Sequence, residues 1–235
     1  MRLIHYETVT STNAVLRELA QAGGDDLLTV YADEQTAGRG RLERKWQSEK
    51  GTSALFSVLI RRELAYPAGT VFSAALAAAM TLKSLTGADV KVKWPNDIVL
   101  SGKKLCGILC ESALSGGKID YIIVGIGINL NTLSFPDDLP NAGSVLSLTG
   151  IKLTAETVIT EFCARFDGIL GLSFDKVLAS LSDISATLGS EVRAGEIQGT
   201  ALRFDDDGAL IIKAGDGEHR IIVGDVSVRG VNGYV

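Results

Sequence analysis

Apolar and polar residues follow two different rhythms along this chain, and the rhythm changes near Gly189. Before that point, short apolar strands alternate with stretches in which apolar residues recur every three or four positions, the spacing of amphipathic helices. Strands are predicted over residues 3–9, 27–32, 52–60, 90–94, 97–100, 104–112 and 119–130. Helices are predicted over residues 14–20, 69–85, 154–170 and 174–181.

From Gly189 onward the helical spacing disappears. Short alternating strands are predicted over residues 191–194, 197–204, 209–214, 218–223 and 227–229, with Asp- and Gly-rich turns between them. Five short strands in so small a span are typical of a small barrel. We therefore predict a first domain over residues 1–187 and an SH3-like β-barrel over residues 188–235.

The order of elements in the first part predicts an α+β fold, with a mixed, mainly antiparallel sheet packed against helices. Residues 131–149 interrupt this order. They contain two prolines, two aspartates and little periodicity, so a long, mobile loop is predicted there. Loops of that length are often functional.

Composition limits the classes of protein that fit. The net charge is −5, which argues against nucleic acid as the main partner. Three cysteines without a Cys-x-x-Cys pair predict a reducing, cytoplasmic compartment, and two distant histidines offer little for a metal site or a catalytic triad. The most apolar stretch, residues 71–85, is interrupted by polar residues, so it predicts a buried helix and no membrane association.

One loop reverses the sign of the local charge. The run Ala37-Gly38-Arg39-Gly40-Arg41-Leu42-Glu43-Arg44-Lys45-Trp46 places four cations and two glycines beside an indole. Its backbone N–H groups and guanidinium donors suit phosphate or another small anion. A solvated surface or a nucleic-acid-binding tail can have the same composition, so the loop alone leaves those alternatives open. Glu43 and Asp97 stand where a dinucleotide fingerprint and a P-loop would need glycine.

Four further stretches carry residues suited to chemistry. They are Ser11-Thr12-Asn13, Lys93-Trp94-Pro95-Asn96-Asp97, Lys104-Leu105-Cys106-Gly107-Ile108-Leu109 and Gly125-Ile126-Gly127-Ile128-Asn129. Short polar side chains at a helix N-terminus can face a ligand, and glycines two residues apart clear one face of a strand for close approach. Each stretch also has a structural explanation: a helix cap, a core tryptophan, an edge lysine or a β-bulge.

Together with Gln35-Thr36 and the basic loop, these stretches resemble the biotin protein ligases (biotin–acetyl-CoA-carboxylase ligases), in their monofunctional type. The motifs occur in the order of that family and at roughly its spacing, from about residue 5 to the C-terminus. The resemblance implies a ligase fold like that of class II synthetases, followed by the small barrel.

The resemblance also implies a two-step reaction that uses ATP, biotin and Mg²⁺. Biotin's carboxylate attacks the α-phosphate of ATP to give biotinyl-5′-adenylate, and a lysine of a biotin carboxyl carrier protein then displaces AMP. The implied catalytic residues are Arg39, Lys104 and Asp97, with Asp97 orienting or deprotonating the incoming lysine. The basic loop is expected to become ordered over the intermediate and shield it from water.

The binding roles are carried over from the same resemblance. The implied biotin-binding residues are Ser11, Thr12, Asn13, Gln35, Gly38, Arg39, Gly40, Arg41, Trp46, Lys104, Gly107, Gly125 and Gly127. The implied nucleotide-binding residues are Arg39, Arg41, Arg44, Trp46, Lys104, Asn129, Ala142 and Ser144, and Asn129 is expected near the Mg²⁺ ion.

Further expectations concern partners and alternatives. Some members of the family carry an N-terminal winged helix-turn-helix, but the Ser-Thr-Asn triplet falls at residues 11–13, so no DNA binding is expected. A homodimer through a sheet edge is expected from the resemblance. Lipoate–protein ligase, which shares the fold and the adenylation chemistry, is one alternative. A biotin-binding sensor without turnover is another.

Overall fold

The computed structural model describes residues 2–222, 228–230 and 234, which form a large sheet, a small sheet and five α-helices. The strands of the large sheet are β1 (Arg2–Val9), β2 (Leu28–Gln35), β3 (Ser53–Ile60), β4 (Lys91–Lys93), β5 (Asp97–Leu100), β6 (Lys103–Ser115) and β7 (Lys118–Asn129). The helices are α1 (Thr12–Gln21), α2 (Thr70–Thr86), α3 (Val145–Thr149), α4 (Ala155–Leu170) and α5 (Phe174–Asp183).

The large sheet confirms the predicted mixed topology. Its strands are ordered β1-β2-β3-β7-β6-β5-β4. The pair β1–β2, connected through α1, is parallel, and all other neighbouring pairs of this sheet are antiparallel. The central strands are therefore β3, β7 and β6, and their register decides which side chains share a face.

One face of the sheet packs against α2 and α4. The α4 residues Phe162 and Phe166 lie one helical turn apart and are fully buried, and the Phe162 ring meets Phe56 of β3 edge-on with centroids 5.1 Å apart. The Ala-rich α2 lies close beside α4 and ends at Gly87, which adopts the left-handed conformation (φ 68°). By length and composition, residues 67–86 could cross a membrane, but most of this segment is buried inside the fold, as in core helices of soluble proteins.

The other face of the sheet is only partly covered. Helix α1 packs Leu16 and Ala20 on Leu59 and Ile123, at one end of strands β3 and β7. Because side chains alternate along a strand, the residues two and four positions further along the same strands also point to this face. The part of this face that α1 leaves uncovered starts at the N-terminal end of the helix. The polar residues at that end of α1 therefore lie beside the uncovered part of the sheet.

The prediction of a mobile loop over residues 131–149 is wrong for residues 145–149. Residues 145–149 form α3, which begins at Ser144 with a reciprocal capping box to Ser147 and ends at Gly150 (φ 74°). The segment before it is anchored, because Lys104 N donates to Asn141 O (2.7 Å) and Gly143 N to Lys104 O (3.0 Å). A helix of five residues is too short to leave a periodic pattern in the sequence.

The predicted C-terminal strands form a second sheet. They are β8 (Glu191–Ala194), β9 (Ile197–Phe204), β10 (Leu210–Ala214), β11 (Gly217–Ile221) and β12 (Val228–Gly230). The order is β11-β10-β9-β8-β12 and every pair is antiparallel. Residues 223 and 227 of the predicted strands lie outside the described residues, and the domain boundary at 187/188 stays a prediction.

The second sheet is joined to the first through Trp94. Its indole Nε1 donates to Gly208 O (2.9 Å), in the turn between β9 and β10. Its backbone N donates to Thr187 Oγ1 (2.9 Å), just before β8. Trp94 is 3% exposed. The motif that contains it therefore lies between the two sheets, and the core explanation for this tryptophan is correct.

Candidate active site

A cavity of about 620 Å³ opens on the uncovered face of the large sheet, within the range typical of small-molecule sites. All but two of the residues predicted for the site line it. The predicted residues that line the cavity are Ser11, Thr12, Asn13, Gln35, Arg39, Gly40, Arg41, Arg44, Trp46, Asp97, Lys104, Gly107, Gly125, Gly127, Asn129 and Ala142. Residues from four strands (β2, β5, β6 and β7), from the N-terminus of α1 and from two loops thus meet at one place.

The floor of the cavity follows from strand register. Asp97 of β5 pairs with Gly107 of β6, and Gly107 pairs with Gly127 of β7. Gly125, which lies two residues before Gly127 on the same face of β7, pairs with Ser57 of β3. The three glycines leave a flat strip of bare backbone, with a hydroxyl at one end and a carboxylate at the other.

The N-terminus of α1 forms the polar end of this strip. Ser11 occupies the N-cap position, but its side chain makes no capping hydrogen bond. Instead Gln35 Oε1 accepts from Thr12 N (2.8 Å) and from Thr12 Oγ1 (3.2 Å). Ser57 Oγ lies 2.7 Å from Thr12 Oγ1. The helix-cap explanation for this triplet therefore fails at the level of side chains, and the hydroxyl of Ser11 lines the cavity.

Asn13 connects the polar end to a carboxylate. Its Nδ2 donates to Glu111 Oε2 (2.6 Å), and Glu111 Oε1 lies 3.0 Å from Arg17 Nη2. Its Oδ1 accepts from Ser57 and lies against Gly125, where a Cβ would stand 2.3 Å from Oδ1. Gly125 is therefore required by the side chain of Asn13 as much as by a ligand.

Trp46 covers the middle of the strip. A Cβ built on Gly127 would lie 2.6 Å from its indole ring, and one on Gly107 would lie 3.0 Å from Cζ3. The indole Nε1 is buried without a hydrogen-bond partner among the described residues. An indole N–H usually finds a partner when buried, so this donor is available to a ligand that enters the strip.

The basic loop folds into a small closed turn above the strip. Arg39 and Lys45 form an isolated antiparallel bridge, and Gly40 N donates to Arg44 O (2.7 Å). At its tip Leu42 is 58% exposed and adopts a left-handed conformation (φ 53°). A large apolar residue in that conformation is unusual, so the loop holds local backbone strain.

Arg41 enters the cavity from this loop. Its Nη1 donates to Asn96 Oδ1 (3.0 Å), and Asn96 is itself fixed because its Nδ2 donates to Ile108 O (2.7 Å). Within the described residues, Nη2 is buried without a partner. Burial lowers the pKa of Arg41, against the opposing effect of Asp97. A guanidinium with one unused buried donor is suited to an anionic ligand.

Lys104 and Asp97 form an ion pair at the far end of the strip. Lys104 Nζ lies 2.6 Å from Asp97 Oδ1, and the two side chains are 28% and 15% exposed. The ammonium also lies 5.7 Å from the centre of the Trp46 ring. A bulge in β6 opposite β5 sets this geometry, since Lys104 pairs with Val99 while Cys106 pairs with Ile98.

A contact from Tyr234, a residue beyond β12 near the C-terminus, completes this end. Tyr234 Oη donates to Asp97 Oδ2 (2.6 Å), and Lys93 Nζ lies 3.6 Å above the Tyr234 ring. Burial lowers the pKa of Lys93 to about 8, although Asp97 opposes this shift. Burial, followed by the charge of Asp97, raises the pKa of Tyr234 far above its usual range. Tyr234 is therefore a donor and remains protonated.

Three residues predicted to bind the nucleotide differ in whether they line the cavity. Asn129 and Ala142 line the cavity, and Asn129 Nδ2 donates to Gly143 O (3.0 Å), so its amide oxygen is the end left for a ligand. Ser144 does not line it. Its hydroxyl is fully buried, donates to Thr132 O (2.6 Å) and caps α3, so the predicted nucleotide contact by Ser144 has no support in this geometry.

Gly38 is the second residue that the structure places outside the cavity lining. It is buried behind Trp46, and a Cβ on it would stand 2.7 Å from Trp46 O. Its own carbonyl accepts from Trp46 N (3.0 Å). Gly38 therefore supports the backbone of Trp46, and the predicted direct contact with biotin is not supported.

Several residues of the cavity were not predicted for it. Glu111 lines the cavity, and Ser57 lies just outside the lining in contact with Asn13; the available signal for each is a polar residue in an apolar stretch of strand. Lys93 and Asn96 lie in a recognised motif but had no assigned role. Tyr234 carried no signal at all. Counted over the described residues, seven cationic and three anionic side chains line the cavity, in a chain whose net charge is −5.

Comparisons with known proteins agree with this arrangement. The model of the "Biotin/lipoate A/B protein ligase family" matches residues 6–129, and that of the "Biotin protein ligase C terminal domain" matches residues 187–229. The biotin–[acetyl-CoA-carboxylase] ligase of Paracoccus denitrificans is 33% identical over 94% of this chain and 98% of its own length. The bifunctional ligase/repressor BirA of Bacillus subtilis is 32% identical over 96% and 74%. The Aquifex aeolicus biotin protein ligase structure with biotin and ATP is 30% identical, with a TM-score of 0.84 over 97% of this chain and 99% of that one.

Proposed function

The chain belongs to the biotin/lipoate A/B protein ligase family and is a biotin–protein ligase, and on that premise we propose that it joins biotin to a lysine of a biotin carboxyl carrier protein by way of biotinyl-5′-adenylate. One observation carries the proposal. The glycine strip beneath Trp46 connects a set of neutral polar groups with the Lys104–Asp97 ion pair, inside a cavity rich in cations.

The shape and polarity of the strip suit biotin. Biotin has a ureido group at one end, an apolar ring and tail in the middle and a carboxylate at the other end. Ser11, Thr12 and Gln35 offer donors and acceptors for the ureido group. Trp46 and the bare strands at Gly107 and Gly127 offer apolar surface for the ring and tail once the indole has moved off the glycines on which it lies. The carboxylate then points toward Lys104. The structure of the Aquifex aeolicus relative holds biotin and ATP, which supports this choice of substrates.

In the first step a carboxylate oxygen of biotin attacks the α-phosphorus of ATP. The bond from that phosphorus to the bridging oxygen breaks, and pyrophosphate leaves with the electron pair. Two anions must approach each other, so positioning and charge neutralisation dominate the barrier. Lys104 can neutralise the carboxylate, and Arg39, Arg41 and Arg44 can hold the phosphates. The unused Nη2 of Arg41 is a donor of this kind already in place.

In the second step the amine of the carrier lysine attacks the acyl carbon. The acyl–oxygen bond breaks, AMP leaves, and the amine loses a proton as the amide forms. A base near the acyl carbon accelerates such a step. Asp97 lies at the end of the strip where that carbon would be, with Lys104 on one carboxylate oxygen and Tyr234 on the other. We assign Asp97 to orienting the lysine and accepting its proton.

Mg²⁺ is part of the proposal because ATP reacts as its magnesium complex. Mg²⁺ is usually held through substrate phosphates, water and one or two protein oxygens. Among the described residues no cluster of three His, Cys, Asp or Glu side chains could hold a metal by itself. The amide oxygen of Asn129 is a suitable single ligand, since the amide nitrogen is bonded to Gly143 O. The residues present therefore fit a Mg²⁺ ion that arrives bound to the nucleotide. The ion would neutralise negative charge on the phosphates.

Lipoate is the alternative substrate. It shares the carboxylate tail but has no ureido group, so it would offer fewer partners to the Ser11 hydroxyl, which makes no capping hydrogen bond, and to the buried Nε1 of Trp46. A sensor that binds biotin without turnover is the other alternative. It would not need the Lys104–Asp97 pair or the donors of Arg41, and their arrangement favours an enzyme.

Other parts of the proposal rest on the sequence. We propose a cytoplasmic location, where the three cysteines would stay reduced, and a homodimer formed through a sheet edge, for which β1 is an edge strand of the large sheet. The absence of DNA and membrane partners stays a prediction.

The proposal is tested by incubating the protein with ATP, Mg²⁺ and a recombinant biotin carboxyl carrier domain from a bacterial acetyl-CoA carboxylase. Mass spectrometry of the carrier then follows parallel reactions with biotin and with lipoate. We expect one biotin on one lysine, dependent on ATP, and no lipoyl product. A lipoyl product alone would assign the protein to the alternative substrate, and binding of biotin without any adenylate would favour the sensor.

A further inference from the structure

One wall of the cavity comes from the second sheet. Arg229 and Gly230 of β12 line it, and Tyr234 lies beside them. The Tyr234 hydroxyl is 2.6 Å from Asp97 Oδ2, and these residues are 137 positions apart in the chain. This is a direct hydrogen bond from the C-terminal sheet region to the carboxylate that we place at the transfer step.

The two oxygens of Asp97 have different partners. Oδ1 lies 2.6 Å from Lys104 Nζ, and Oδ2 accepts from Tyr234. The terminal torsion of an aspartate is soft, so a carboxylate held by one partner can still rotate. Among the described residues Oδ1 has the ion pair but no hydrogen bond, so the hydrogen bond from Tyr234 to Oδ2 is the contact that fixes the plane of the carboxylate. Catalytic groups must be held within about half an ångström of their productive geometry, and supporting hydrogen bonds do this.

Lys104 alone cannot keep Asp97 in place throughout the reaction. In the first step its ammonium is needed at the carboxylate of biotin and the phosphate, and these ligands compete with Asp97 for it. Tyr234 has no such competing task. Its ring lies beneath Lys93 Nζ at 3.6 Å, which fixes the ring and so directs the hydroxyl at Asp97. The hydroxyl stays protonated, so it can donate but cannot act as a base.

We propose that Tyr234 is a positioning residue for the transfer step: it holds Asp97 in the orientation that receives the carrier lysine after Lys104 has turned to the acyl phosphate. This inference rests on the proposed function. It gives the C-terminal sheet a part in the chemistry, in addition to completing the fold. The adenylation step does not use Asp97, so it should not depend on Tyr234.

The test is Tyr234→Phe, which keeps the ring beneath Lys93 and removes only the hydroxyl. The matched control is Tyr66→Phe, which removes a phenol hydrogen bond (3.2 Å) to Asp207 O, also between the two sheets but away from the cavity. Two half-reactions are measured for each variant and for the wild type. The first is biotin-dependent exchange of pyrophosphate into ATP, and the second is transfer from preformed biotinyl-5′-adenylate to an acceptor.

Two acceptors separate positioning from docking. One is the recombinant biotin carboxyl carrier domain, and the other is Nα-acetyl-lysine amide at high concentration. For Tyr234→Phe we expect exchange within about twofold of wild type and a transfer kcat about tenfold lower with both acceptors, the usual effect of losing one charged hydrogen bond. The KM for the carrier should not change. Tyr66→Phe should match the wild type in both half-reactions.

Several results would overturn the inference. Equal losses in exchange and transfer would mean that the hydroxyl supports the whole site. A loss with the carrier alone, seen in KM, would mean that Tyr234 contributes to docking. Unchanged or faster transfer would mean that Tyr234 does not orient Asp97, or blocks it. If the wild type shows no exchange with biotin at all, the proposed function fails instead, which distinguishes the two failures.

Discussion

The indole ring of Trp46 lies directly on the backbone of Gly127, so close that a Cβ at Gly127 would stand 2.6 Å from the ring. No L side chain fits there unless the indole moves. The strip of bare sheet and the aromatic ring above it therefore act as one unit, and the cavity depends on both.

Gly127→Ala is the most direct test of this unit. The methyl group must displace Trp46 from the strip, and displacement of about 1 Å at a site of this kind can reduce activity up to a hundredfold. We expect biotin-dependent pyrophosphate exchange to fall at least tenfold, about 1.4 kcal/mol in the barrier. The control is Gly168→Ala in α4, where a Cβ meets nothing within 4 Å. It should leave exchange unchanged and raise the free energy of unfolding by about 0.5–1 kcal/mol. A fully active Gly127→Ala variant would disprove the close packing.

The basic loop should become more resistant to protease when ligands bind. Its tip is exposed at Leu42, and Arg44 and Lys45 beside it are exposed trypsin sites. If the loop closes over biotinyl-5′-adenylate, opening becomes rarer, and cleavage should slow about fivefold or more with biotin and ATP together. Cleavage after Lys118, the exposed first residue of β7, serves as the internal control and should not change. Equal protection at both sites, or none in the loop, would count against closure.

Lys93 should make stability depend on pH in the alkaline range. It is 6% exposed, and burial lowers its folded pKa to about 8, below the value of about 10.4 for an unfolded chain. Below pH 8 the ammonium is charged in both states and the full penalty of burying it is present. As pH rises from about 8 to about 10.4, the folded state loses its proton first, so stability increases.

Lys93→Met removes this effect. The variant should be more stable than the wild type by about 1–2 kcal/mol at pH 7, and the difference should shrink toward pH 10. Chemical denaturation at the two pH values measures it. Lys91→Met, on the same strand but pairing at the surface with Asp89 (3.2 Å), is the control and should show a difference that does not vary in this way. If the difference in the free energy of unfolding between Lys93→Met and the wild type does not change with pH, the ammonium of Lys93 is better solvated than the structure indicates.

Trp94 should stabilise the attachment of the second sheet. Trp94→Phe removes the Nε1 donor and leaves the Gly208 carbonyl unsatisfied in a buried place, which costs about 1–3 kcal/mol. The adjacent carbonyl of Asp207 accepts from Tyr66 in a more exposed place, so Tyr66→Phe should cost less than about 1 kcal/mol. Denaturation with urea compares the two variants. Equal losses in the free energy of unfolding would mean that the burial of the Gly208 carbonyl does not add to the cost of removing its donor.

Much of the fold could be predicted because its elements are long and their periodicity is strong. The spacing of Val158, Phe162, Phe166 and Ile169 marks α4 correctly, and all four are buried. The short helix α3 was not predicted, since five residues hold too few apolar positions to show a period. Its capping residues, Ser144 and Ser147, are the available signal, but the family resemblance assigns Ser144 to the nucleotide.

The site could be predicted as far as its motifs are local. Gly125 and Gly127 reveal a bare strand face because they lie two residues apart. The partners of these motifs could not be predicted, because strand register and the docking of the second sheet bring them together. Glu111 meets Asn13 across 98 residues and Tyr234 meets Asp97 across 137, and neither residue lies in a motif. Gly38 is the converse case, since it lies in a motif of the site but packs behind Trp46, outside the cavity lining.

The central claim is that this cavity forms biotinyl-5′-adenylate, and exchange of labelled pyrophosphate into ATP measures that step without any carrier protein. The assay compares the wild type, Lys104→Ala and Lys103→Ala, with biotin or lipoate and Mg²⁺. Lys103 is the matched control, because its Nζ bonds to Pro140 O on the exposed side of the neighbouring loop. We predict exchange with biotin, retained within about threefold in Lys103→Ala and reduced about a hundredfold or more in Lys104→Ala. Exchange driven by lipoate alone, or exchange with biotin that survives the loss of Lys104, would contradict the account.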